Sequence, residues 1–309
     1  MTPVPVLDLV PSFGPPAPAG LRGRGWTYDT AATAAALAGD GETGRAGALL
    51  AQLAALQEPD GGLAQSYDLA TGAGDGPPRA GVMAWVGLAA VAAGRHDGLL
   101  DGVLRWLRAR REDWHGLYRG GADVSWAAAE HNLEIRALLA AHGEHVAALD
   151  AAIDRHLLVR DGPAALRQGF EDDVRPSDAQ ALGILWLCAL GRDDEARAVA
   201  ATAEATLRVR DRRVDWPGAE SSAFTGYRPY AGGWAPDVLW MEGTLQLRLA
   251  RARLGDADPE LDAAIDAWAA LTAPGMLLQA DRDAGDLHAW PAAAPAAWLR
   301  LVRARFALL

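Results

Sequence analysis

Apolar residues recur at i, i+3, i+4 and i+7 in successive stretches, and these stretches fall into pairs separated by very short connections. The periodicity predicts helices over 28 to 38 with 43 to 56, 82 to 93 with 98 to 110, 127 to 141 with 145 to 158, 178 to 190 with 195 to 209, and 237 to 254 with 259 to 272, and a last helix over 293 to 308. The first member of a pair is apolar nearly all round (AWVGLAAVAA, DAQALGILWLCAL), whereas the second carries a charged face (DGLLDGVLRWLRARR, DEARAVAATAEATLRVR). First members are therefore expected inside and second members outside.

A two-helix repeat cannot bury its apolar stripe alone, so neighbours stack, and inner helices covered on every side require the stack to close. The expected fold is all-α: an (α/α)6-type toroid of about eleven to twelve helices without significant sheet. Eleven helices are one short of six hairpins, and the Pro-rich arm 1 to 25 is expected to fill the remaining place beside a toroid domain of 26 to 309. Counting back thirteen residues from the glycine that ends an inner helix gives Gly81 from Gly94, Glu130 from Gly143, Asp178 from Gly191 and Glu242 from Gly255. From Gly39 it gives Trp26, with Asp29 about a turn later. Equivalent positions in a ring look toward one centre, so these carboxylates should converge.

The loops favour the same end. Inner-to-outer connections are short (GRHD, HGEH, GRDD), while the returns 57 to 81, 111 to 126, 159 to 177, 210 to 236 and 273 to 292 are long, and long ordered loops usually carry function. The long returns bring Tyr67, Trp114, Tyr118, Phe170, Arg175, Tyr227, Tyr230, Trp234, His288 and Trp290 to the rim where the inner helices begin.

Charge removes some function classes. A net charge of -11, with the arginines scattered among carboxylates, opposes binding to nucleic acid. No apolar run is long enough for a membrane span, and the first residues lack a basic and an apolar secretory region, which points to the cytoplasm. Cys188, the single cysteine, lies in the apolar run ILWLCALG and reads as core filling. Arginine as the only strongly basic residue, in an alanine-rich chain, fits a GC-rich bacterial genome. The Gly-rich pieces GDGETG and GAGDGPP have neither a preceding strand nor a lysine, so no phosphate loop and no cofactor is expected.

The segments WTYDTAATAAALAG, LLAQLAALQEPDGGLAQSYDLATG, AGVMAWVGLAA, SWAAAEHNLEIRALLAAHG, RPSDAQALGILWLCALG and WMEGTLQLRLARARLG resemble the α/α-toroid proteins. The six-hairpin glycosidase group is the nearer resemblance and the terpenoid cyclases the more distant. QEPDGGL looks like the Gln-Trp repeat of triterpene cyclases, without its following tryptophan and in one copy. The resemblance implies the fold. It leaves the reaction open, since such toroids include hydrolases, lyases, epimerases and cyclases.

Three acids are the candidate catalytic groups. Glu242 follows Trp240 in an otherwise apolar helix that Asp237 is placed to cap. Glu130, with His131 and Asn132, forms the richest polar cluster on an inner helix, behind a possible cap at Ser125. Asp178 is equally explained as a first-turn acid in a Ser177/Gln180 capping box. Glu134 follows Glu130 at i+4, but no HExxH pattern accompanies it, so no metal is expected. Twelve tryptophans against four phenylalanines suggest flat ligand walls. Trp26, Tyr28, Asp29, Tyr67, Trp85, Trp126, His131, Arg175, Tyr227, Trp234, Trp240 and Trp290 are the candidate substrate contacts, and Trp106, Trp186, Trp268 and Trp298 read as core. The acidic run Glu171, Asp172, Asp173 reads as a hydrated loop.

Two converging carboxylates, one protonated and one ionised, suit glycoside hydrolysis of an oligosaccharide or other small-molecule substrate. The alternatives are a terpenoid or polyene cyclase using a carboxylic acid in an aromatic hollow, although its Asp-x-Asp-Asp motif is absent, and a non-catalytic toroid that binds a ligand or partner on its rim.

Overall fold

Hydrophobicity on all sides sends one helix of each pair inward. The computed structural model describes residues 7 to 95, 97 to 112, 114 to 219, 223 to 232 and 235 to 307. Its helices are α1 (Ala19–Arg22), α2 (Thr27–Gly39), α3 (Thr43–Leu56), α4 (Ala80–Ala92), α5 (Gly98–Arg108), α6 (Ala129–Ala141), α7 (Ala147–His156), α8 (Ser177–Ala189), α9 (Asp193–Leu207), α10 (Met241–Arg253), α11 (Pro259–Ala269) and α12 (Ala293–Arg303). The even-numbered helices pack in sequence order, and α12 packs back onto α2, which closes an inner ring of six. On α4 nearly every side chain from Ala80 to Ala90 is buried, whereas α5 buries Leu100, Val103, Leu104 and Leu107 and turns Asp101 and Arg105 to water. The odd-numbered helices from α3 to α11 form the outer layer.

A left-handed residue ends every inner helix: Gly41, Gly94, Gly143, Gly191, Gly255 and, after α12, Arg305. Each is followed by an N–H that reaches back five residues, as in Arg95 N to Ala90 O at 2.9 Å and Arg192 N to Leu187 O at 2.9 Å. This corrects the register of the first hairpin. Gly39 is still helical, the left-handed glycine is Gly41, and thirteen residues back from it stands Tyr28 rather than Trp26. The second residues of α2, α4, α6, α8 and α10 are thus Tyr28, Gly81, Glu130, Asp178 and Glu242.

The starts of the inner helices are held by the rim instead of by side-chain caps. The expected caps are not used: α6, α8 and α10 begin after Ala128, Pro176 and Trp240, and Asp237 pairs with Arg212 instead. In each inner helix the first N–H donates to a loop carbonyl, from Thr27 to Gln65, Ala80 to Gly120, Ala129 to Gln168, Ser177 to Pro229, Met241 to Gln279 and Ala293 to Ser12, at 2.8 to 3.0 Å. Three residues further on, Asn132 grips both backbone groups of Tyr118, Gln180 grips both of Leu166, and Thr244 accepts from Tyr227 N. The long returns are thereby riveted as short β ribbons to the helix tops. Replacing Asn132, fully buried, with Ala should cost about 2–4 kcal/mol in urea unfolding, because it strands both backbone groups of Tyr118. A loss under about 0.5 kcal/mol would contradict this rivet.

The arm fills the sixth outer place only in part. α1 is a single turn of the arm. Ser12 bridges Arg24 and α12, and Asp8 to Pro11 border a groove of about 620 Å³ that runs over α2 and α12 between α3 and α11. Leu37, Leu49, Leu277 and Leu299 line it. Among the described residues no helix is long and apolar enough to cross a membrane.

Candidate functional site

At the N-terminal ends of the inner ring lies a cavity of about 440 Å³, walled by Trp126, Glu130, His131, Gln168, Asp178, Tyr230, Trp240 and Asp286 among others. The larger outer groove contains none of the three candidate acids, so the chemistry belongs to the smaller void. Glu242, 8% exposed, lies beside this wall within electrostatic range of Asp178. The Tyr28 hydroxyl donates to Glu242 Oε1 and itself accepts from Trp298 Nε1 at 2.8 Å. Trp85 Nε1 donates to Glu134 Oε1 at 2.5 Å, and the Trp85 ring meets those of Tyr28 and Trp298 edge-on at 5.8 and 5.2 Å. Packed aromatic rings therefore fill the middle of the toroid at the level of Tyr28 and Trp85.

Gly81 keeps this packing possible. A Cβ there would stand 2.4 Å from His131 Cδ2 and 2.7 Å from Glu134 Oε2. Absence of a side chain on α4 is what lets two polar groups of α6 lean toward the centre.

Burial dominates the electrostatics. It pushes the Glu242 carboxyl up to about 8 against the Tyr28 hydrogen bond, with Asp29 and Asp178 adding to the rise. Burial also lifts Asp178 to about 6, while the N–H of Ala179, 2.6 Å from Oδ1, holds it back. Glu130 is pushed well above the usual carboxylate range by burial and then by Asp178, Glu134 and Glu242. Glu134 follows for the same first reason, opposed by the Trp85 N–H. Asp29 is lifted by burial to about 7, and His131 is pushed down to about 4 by burial and by Arg79. Both carboxyls are raised, and Glu242 is raised the further, so it keeps its proton to higher pH than Asp178.

No family model matches the chain, nor does any curated protein. Solved structures do. A glycosidase in complex with glucose superposes with a TM-score of 0.61 at 16% identity, over 97% of this chain and 92% of that one. A D-mannose isomerase gives 0.60 at 13% identity, over 93% and 88%. A glycoside hydrolase family 76 mannosidase from Bacteroides thetaiotaomicron gives 0.59 at 13%, over 92% and 87%. The fold is an α/α toroid.

The toroid brings together Glu130, His131, Asp178, Trp126 and Trp240 on one wall, with Glu242 and Tyr28 alongside. Trp126 is fixed by its indole N–H on Phe170 O at 3.1 Å, whereas the Trp240 N–H is buried without a partner. Other candidates lie elsewhere. Trp85 is wholly buried as packing beneath the acids, so it offers no face to a ligand. Tyr67 is buried in the rim ribbon, its hydroxyl accepting from Ala64 N. Tyr227 is buried in an ionic network outside the ring, where its hydroxyl meets Glu204, Arg208 and Arg251 at 2.7 to 3.1 Å. Trp26 and Trp290 both pack edge-on against Phe13 of the arm, and Trp290 stacks on His288 at 3.9 Å. Asp29 faces Ser12 while standing within electrostatic range of Glu242, and Arg175 sits in a two-residue ribbon beside the wall residue Pro176. Trp234 lies outside the described residues.

Trp298 is core, as its context implied, with its indole N–H on Tyr28 in addition, whereas sequence reasoning missed the part played by Glu134, considered only as a metal ligand. For Glu134 the signal was present: it stands one turn below Glu130 on the face that looks inward. Among the described residues no three His, Cys, Asp or Glu are grouped to hold a metal.

Proposed function

We propose that this toroid cleaves glycosidic bonds, with Glu242 as general acid and Asp178 as the ionised partner that activates water or attacks the sugar. The observation that carries the reading is that these two carboxyls occupy matching second positions of adjacent inner helices, Asp178 in the cavity wall and Glu242 beside it, with burial raising Glu242 the further of the two. Tyr28 donates to one Glu242 oxygen and so fixes the carboxyl beside the cavity wall, where a general acid would act. Asp178 lines the cavity and accepts from its own helix N-terminus, which favours its charged form. Trp126 and Trp240 offer flat apolar surface for a pyranose. The sugar-processing enzymes that share the fold add support. A cyclase hollow needs a dry acid within an aromatic wall, and the several carboxyls here favour hydrolysis over that chemistry.

The test is release of reducing sugar from a panel of α- and β-linked di- and trisaccharides, with binding followed by thermal shift. At least one should be turned over in a manner abolished by substituting Glu242. Absence of turnover, binding and shift across the panel would defeat the proposal.

A further inference from the structure

Every other described tryptophan is buried or half-buried, whereas Trp114 is 72% exposed. Among the described residues the only other large hydrophobic on the surface is Leu190, at 36%, which caps the C-terminal end of α8 and so lies at the opposite end of the toroid. Exposure of a lone apolar side chain is ordinary, but this one is also held in place. The loop after α5 brings the Trp114 ring to 4.2 Å from that of His115 and edge-on to Phe170 at 5.0 Å, and His156 at the end of α7 meets Phe170 at 5.3 Å. His115 is itself pinned, 7% exposed, with Nδ1 accepting from Leu117 N at 3.0 Å. Four rings from three segments therefore form a fixed support, and the outermost of them is an indole open to water.

The support is joined to the cavity wall. Phe170 O accepts from Trp126 Nε1 at 3.1 Å and Phe170 N donates to Ala127 O at 2.9 Å, while Trp126 and Gln168 line the cavity. A single residue, Phe170, thus links the exposed indole to the wall. A void of about 440 Å³ has room for roughly one or two pyranose rings, so further rings of a longer chain must leave it over the rim.

Size and surroundings select the occupant of this platform. One indole offers far less than the roughly 800 Å² per partner of a stable protein interface, but it matches the apolar face of one pyranose. The charged residues that flank these rings in the chain pair with one another, Glu112 with Arg119 at 3.6 Å and Arg167 with Asp173 at 3.0 Å. The platform therefore selects by shape and apolar contact, which suits a neutral glycan. We infer that Trp114 is a remote glycan subsite, stacking on one ring of a neutral oligosaccharide whose other end occupies the cavity. The inference rests on the glycosidase reading and adds to it a preference for chains longer than a disaccharide.

The experiment titrates neutral glucose and mannose oligomers of two to six units, α- and β-linked, into Glu242→Gln by calorimetry, alone and combined with Trp114→Ala or Trp114→Phe. The same series is followed for turnover with Glu242 intact. Affinity should rise about tenfold as the chain outgrows the cavity. Trp114→Ala should remove that rise, leave disaccharide binding as it was, and raise KM for the long substrates with kcat kept, while Trp114→Phe should retain part of the rise. A rise that survives Trp114→Ala, or no rise in the parent, would overturn the inference and leave the glycosidase reading standing. Length-dependent binding that needs Trp114, without turnover of any oligomer, would support the platform and count against hydrolysis. No binding by any oligomer would overturn the platform. So would a fall in solution mass on Trp114→Ala, measured by light scattering, since the indole would then be a contact between copies of the chain.

Discussion

Glu242→Gln should lower kcat by about 10²–10⁴-fold and, at high pH, make the protein more stable. The two effects share one cause. A carboxyl raised from its usual range to about 8 is favoured by the fold in its protonated form. Its contribution is fully present below about pH 4.5 and is lost as pH rises through 8, a swing on the order of 5 kcal/mol. Glutamine copies the shape of the protonated acid and still accepts from Tyr28, yet never ionises. Thermal melts at pH 5, 7 and 9 should therefore show the variant close to the parent at the lowest pH and increasingly above it at the highest. Turnover retained within tenfold would remove Glu242 from the chemistry. Turnover lost together with stability at pH 5 would make it a structural acid.

The second large effect concerns Asp178. If it acts ionised while Glu242 acts protonated, kcat/KM should rise through about pH 6 and fall through about pH 8. Asp178→Asn should cost about 10²–10⁴-fold at pH 7 and take the acidic limb with it, since asparagine has no proton to lose. The alkaline limb should persist and move lower, because removing Asp178 removes one of the charges that raises Glu242. A profile in Asp178→Asn that keeps its acidic limb near pH 6 would assign that limb to another group.

The placement of the candidate acids at the starts of the inner helices was legible as spacing. The glycines closing each inner helix sit at fixed distance from the inward position near its start, so Glu130, Asp178 and Glu242 follow from local chain geometry alone. The first hairpin misled because Gly39 and Gly41 both punctuate it, and only the backbone conformation distinguishes them. What spacing could not reach is decided between distant segments. Tyr227 looked like a rim aromatic, yet its place is fixed by Glu204 and Arg251 from two other helices. Asn132 looked like part of the polar site, yet its amide is used up on Tyr118. Asp237 and Ser125 looked like caps, but loop carbonyls already satisfy the helix starts, so neither was needed. Periodicity reports which face is inward. It does not report which polar groups will find each other across the rim.

The hydrogen bond from Trp298 to Tyr28 joins side chains 270 positions apart. Nothing shorter supplies it, so a chain emerging from the ribosome holds the flank of α2 open to water until α12 has been made. Until that late docking the acid at 242 lacks the supported phenol that fixes it. Assembly of the hollow is consequently a final event, and recovery of ligand binding during refolding should lag behind recovery of helix content.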